Sequence, residues 1–136
     1  MTLRDPRSLR RSERGQALVE TALVLPVFLV LVLGIVDFGN AYQQFISVSG
    51  AAREGARLGI AGAPASAITD RAKAAARELT VVVQVTNACG TAGTPLLVQV
   101  ERAYKPITPL GQFVSGVGDG FSLRATADMR LEQTGC

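Results

Sequence analysis

Glu20 is the one ionisable side chain in residues 17–36, a run of twenty residues otherwise built almost wholly from Val, Leu, Ala, Ile and Phe. A carboxylate at the centre of a hydrocarbon layer costs about 2.5–3.5 kcal/mol, and charged groups retained in such segments usually act. The chemistry open to Glu20 is pairing with a cation. The plainer alternative is an acid in the first turn of a helix, where the positive end of the dipole favours it by about 0.3–1 kcal/mol. The other reactive side chains are Cys89 and Cys136. The chain has no histidine and no tryptophan. It also lacks a Gly-rich phosphate loop, a Cys/His metal spacing and a serine in a G-x-S-x-G setting, so an enzyme, a bound metal and a cofactor are all disfavoured. Asp119, between Gly118 and Gly120, reads as a turn residue and not a site.

The element that must carry Glu20 is a membrane helix. Twenty residues at 1.5 Å each span roughly 30 Å, the thickness of a bilayer's hydrocarbon core. Arg4, Arg7, Arg10, Arg11 and Arg14 precede the run against only Asp5 and Glu13, a bias that keeps the N-terminus cytoplasmic while the following chain crosses. The expected organisation is a basic cytoplasmic leader at 1–15, a transmembrane helix at 16–37 and an extracytoplasmic domain at 38–136. Residues 1–14 read as disordered. A secretory signal cut after Gly39-Asn40-Ala41 would need an apolar region of about 7–15 residues, which this one exceeds. Pro26 should kink the helix, since it removes one backbone bond.

Charge narrows the partners further. Five of the 14 basic and two of the 11 acidic residues precede Gly15, leaving nine of each in the remainder. The overall charge of +3 is therefore a topology signal, and neither nucleic acid nor an acidic small-molecule substrate is implied.

Beyond the membrane, Phe38, Ala41, Tyr42, Phe45, Val48, Ala52, Ala56 and Gly59 recur at helical steps, so the rod is expected to continue to about Gly59. Ala52, Gly55, Ala56 and Gly59 are small enough for close backbone approach. They suit either an ordinary tight core contact or a dedicated partner face. Residues 61–64, AGAP, break the rod. Residues 66–79 carry Ile68, Ala72, Ala75, Ala76 and Leu79 on one face of a second helix. The period then changes to two. Residues 81–86 read as a buried strand, 96–104 as its hairpin partner, 105–120 as loop, and 121–132 as a strand with alternating dry and wet sides. The fold class is α+β: a long membrane-spanning helix that continues into a small outer domain with a second short helix and a three-stranded antiparallel sheet. In such a meander the end of the first strand and the end of the third share one edge. Cys89 and Cys136 can therefore meet in a disulfide, the alternative being two unpaired thiols.

The run RGQALVETALVLPVFLVLVLGIVDFGNAYQQFISVSGAAREGAR resembles the N-terminal region of TadE-like tight-adherence pilus assembly proteins. Four blocks carry the likeness: Arg14-Gly15 with Glu20, ALVLP at 22–26, GIVDFG at 34–39 and AAREGAR at 51–57. Thr108-Pro109-Leu110 and the closing ATADMRLE match more loosely. The resemblance implies a pilin-like pseudopilin in the inner membrane, single-pass, and afterwards in a pilus or at the cell surface. Its partners would be membrane lipid, a prepilin peptidase, other pilin or pseudopilin subunits and the pilus assembly platform. Carried onto this chain, the peptidase would cut between Gly15 and Gln16, making Glu20 the fifth mature residue and an assembly group. Gly15 suits this, because without a side chain it lets extended backbone lie against a protease. Thr21 stands where pilins often have an aromatic residue. The competing function is an uncleaved, membrane-anchored outer binding module.

Overall fold

A computed structural model describes residues 6–114, 120–132, 134 and 136, so Asp119 lies outside the described residues. The chain forms a helix α1 (Pro6–Ile60), a shorter helix α2 (Ala65–Ala75), strands β1 (Val82–Thr86) and β2 (Pro95–Tyr104), a short helix α3 (Pro109–Val114) and strand β3 (Phe121–Arg130). The α+β architecture is the one the periodicities require.

α1 has 55 residues, roughly 82 Å at the helical rise, and is helical on both sides of Pro26. It begins at Pro6, not at Gly15 or Gln16, so residues 6–14 are helical where disorder is expected. The reason is local: proline is favoured at the first helical position, and Arg, Leu and Glu are good helix formers. Residues 15–32 of α1 are exposed throughout, and the helix is long and apolar enough to cross a membrane.

The second half of α1 is the spine on which α2 and the sheet pack. β1, β2 and β3 form an antiparallel sheet in that order, with Val98 opposite Val85 on one side and Ala127 on the other. β2 runs antiparallel to α1. A Cβ on Gly59 would lie 2.3 Å from Leu96 and one on Gly55 3.2 Å from Val98, while the Tyr104 hydroxyl reaches the Asp37 carbonyl. Leu96, Val98 and Val100 on the inward side of β2 are fully buried against Val48, Ala52 and Ala56 of α1 and Ile68 and Ala72 of α2. Arg102, next in that alternation, donates to Gln44 at 2.7 Å, which keeps a charged inward residue hydrogen-bonded.

Three local expectations change. β1 is an edge strand and not a buried one: Val82 is 63% exposed, because only one face of a three-stranded sheet is covered by helices. α2 ends at Ala75, four residues short of Leu79, where Arg77 takes a left-handed backbone (φ 57°) that turns the chain toward β1. The 105–120 connection, expected to be all loop, contains α3.

Candidate functional site

Glu20 lies exposed on α1, one turn beyond Gln16, bordering a shallow concavity lined by Thr21, Val24, Leu25 and Phe28. The Thr21 hydroxyl donates to the Ala17 carbonyl at 2.9 Å, so it does not compete for the carboxylate's space. The i, i+4 spacing puts residue 16 and Glu20 on the same helix face. A Cβ on Gly15 would meet nothing within 4 Å. Neither packing nor backbone conformation within the chain requires glycine there, although glycine in a helix costs about 1 kcal/mol relative to alanine. Its cost therefore calls for a reason outside this fold.

The small-residue block is used internally. Ala52 and Ala56 are buried, and a side chain at Gly55 would press on Ala72 (3.1 Å) and Val98 (3.2 Å). At Gly59 it would strike Leu96 and, at 2.9 Å, Ile68. Of the two readings of this face, the tight core contact is the one realised in the chain. About 35 residues, or roughly 50 Å of helix, separate it from Glu20, so the two are not parts of one site.

The densest polar constellation was not anticipated from sequence. Asp37, the first charge after the apolar run, accepts hydrogen bonds from the Ile107 amide (2.9 Å), the Thr108 amide (3.0 Å) and the Thr108 hydroxyl. The Thr108 oxygen in turn accepts from the Gly111 amide at 3.1 Å, capping α3 with Pro109 at its first position. Tyr104 donates to the Asp37 carbonyl at 2.9 Å. Burial, and secondarily the Asp37 charge, push the Tyr104 phenol above its ordinary value and keep it a donor. A Cβ on Gly111 would lie 2.0 Å from the Asp37 carboxylate, so only glycine fits. The available signal was Thr-Pro-x-Gly, a helix start inside a presumed loop.

At the opposite end the cysteines join: Cys89, in the β1–β2 connection, is disulfide-bonded to Cys136, with Cα atoms 5.1 Å apart. The Cys136 amide also donates to the Gly62 carbonyl at the α1–α2 turn. Between these ends Glu54 joins the two helices, accepting from Arg71 Nε at 3.0 Å and Arg57 at 3.1 Å. Those guanidinium hydrogen bonds, Arg71 first, hold the Glu54 carboxyl below the usual carboxylate range.

Comparison with known families adds one finding. Residues 15–57 match the family model described as TadE-like protein, a segment that starts at Gly15 and ends within the α1 stretch packed on the sheet. The match, over less than half of the chain, is consistent with a TadE-like protein. Among the described residues one helix is long and apolar enough to cross a membrane, which suggests a membrane-anchored protein. No curated protein and no solved structure matches the chain.

Proposed function

We propose that this chain is a pseudopilin, a minor pilin-like subunit for assembly of tight-adherence pili, anchored in the inner membrane with its outer domain extracytoplasmic and processed by a prepilin peptidase after Gly15. The observation that carries the reading is the coincidence of the family match with the rod. It opens at a glycine the fold does not use and runs through an exposed apolar half-helix bearing one carboxylate. Cleavage would place the Gln16 ammonium roughly 6 Å of rise from Glu20. A carboxylate in an apolar layer is costly unless paired, and an ammonium is its natural partner. Pairing across two subunits would set the axial offset of their packed helices.

In a host with the matching peptidase, N-terminal sequencing and intact mass are expected to give Gln16 as the first residue, and Gly15→Leu to retain the leader. Glu20→Gln should leave insertion and cleavage intact. Co-purification with other pilus subunits should fall at least about tenfold, as loss of ~1.4 kcal/mol of pairing requires. Undiminished assembly of that variant would return Glu20 to the helix-dipole role. One observation favours the second reading, an uncleaved anchored binding module: α1 is helical through Gly15-Gln16, whereas a protease needs extended backbone. Intact mass separates the two.

A further inference from the structure

The end of the outer domain nearest the apolar run carries an unusual concentration of exposed apolar side chains. Phe38 and Tyr42 of α1 stack at 6.3 Å with their rings nearly parallel, and they are 72% and 57% exposed. Ile107 and Phe113, on the β2–β3 connection, are 56% and 82% exposed, and Phe121 is 49% exposed against Tyr104. A concavity lined by Phe38, Ala41, Pro106 and Phe121 puts α1 and both ends of the β2–β3 connection on one surface, with Ile107 next to Pro106 in the chain. A soluble domain rarely gathers so many exposed large apolar side chains at one end.

The position of the patch says what covers it. Asp37 follows Val36, the last residue of the apolar run, and its carboxylate holds the Ile107 and Thr108 amides. The connection is thus fixed at the level where the helix leaves the hydrocarbon. Tyrosine is enriched at that depth, apolar body inward and hydroxyl wet, a role open to Tyr42, while the phenylalanines add apolar area. Lys105 is exposed beside them, where an ammonium meets lipid phosphate. The opposite end of the sheet exposes Thr86, Asn87 and Glu132 instead.

We propose that Ile107 and Phe113, clamped to Asp37, form with Phe38 and Tyr42 an apolar foot that seats the outer domain on the bilayer surface at which residues 16–37 end. The proposal rests on the membrane-anchored reading, and its test separates the two. The chain has no tryptophan, so single substitutions report cleanly. Full-length Phe113→Trp, Phe28→Trp and Thr86→Trp variants are reconstituted in phosphatidylethanolamine–phosphatidylglycerol vesicles, with quenchers placed near the lipid headgroups or deep in the acyl chains. Phe113→Trp is expected to lose most of its emission to the shallow quencher, Phe28→Trp to the deep one, and Thr86→Trp to neither. Adding Ile107→Asp to Phe113→Trp should reduce the shallow quenching while a second variant pair, Phe28→Trp with Ile107→Asp, keeps the deep quenching. Quenching at position 28 without quenching at 113 overturns the foot alone. Absence of both overturns the anchored reading and the foot with it. Emission at 113 that is shielded from lipid quenchers and changes with protein density assigns the patch to a second copy and also overturns the proposal.

Discussion

The Cys89→Ser, Cys136→Ser double variant is expected to be less stable than the parent by about 4 kcal/mol, the loop-closure entropy of a bridge whose ends lie 47 residues apart in sequence. For a domain of this size that is a fall in Tm of roughly 15–30 °C. The bridge encloses β2, α3 and β3, so the unfolded ensemble of two of the three strands is restricted by it, while β1 lies just outside the loop. In the folded state it pins the end of the chain beside the buried Leu131, whose amide and carbonyl pair with Thr94 and Gly93. Thermal unfolding of the full chain in detergent, with and without reductant, measures the effect. Reductant should reproduce the double variant's Tm in the parent and leave the variant itself unmoved. Two free thiols in protein taken from the cell envelope, with a Tm indifferent to reductant, would end the idea.

Asp37→Ala is expected to destabilise the chain, with the effect concentrated in residues 105–113. The substitution removes the acceptor of two amides and a hydroxyl, and Thr108 is only 6% exposed. A buried donor left without a partner costs about 1–3 kcal/mol, and water can reach the more exposed Ile107 amide. Gly111→Ala should break the same clamp from the other side, since its Cβ would lie 2.0 Å from the carboxylate and 2.6 Å from Pro106. The two losses should therefore sum to more than the double variant shows, as expected for residues in one contact. Combined with loss of the disulfide at the far end, either loss should simply add. Hydrogen exchange at the Ile107, Thr108 and Gly111 amides reads the local opening directly. Unchanged exchange in Asp37→Ala would mean that the clamp contributes nothing in solution.

What could be read from the chain was what repeats with a short period. The apolar run, the stripe from Phe38 to Gly59, the face of α2 and the alternation of Leu123, Ala125 and Ala127 each declare an element, the stripe from Val48 onward and the last two also its buried side, and the antiparallel meander follows from their order. Residues whose meaning depends on distant partners stayed hidden. Asp37 looked like the polar end of a membrane segment, because its partners lie 70 and 71 residues away. Prolines and glycines concealed α3, although Thr108-Pro109 starts a helix as readily as it ends a strand. β1 was misread because three consecutive valines resemble a two-sided buried strand, and only its place at the sheet edge decides otherwise. Glu20 was conspicuous from composition alone, as a lone charge in an apolar run must be.

The two fastenings at opposite ends of the sheet have a mechanical meaning. β2 lies along α1, hydrogen-bonded to it at the Asp37 end and packed onto Gly59 at the other, and α1 continues without a break into the apolar run. The helix and the domain are therefore keyed like a shaft and its hub. Turning or tilting the apolar half of the rod swings the wet side of the sheet, with Arg124 and Asp128, through the same angle, because no swivel intervenes. The orientation of that outer surface around the helix axis is thus chosen by whatever grips the helix below Asp37.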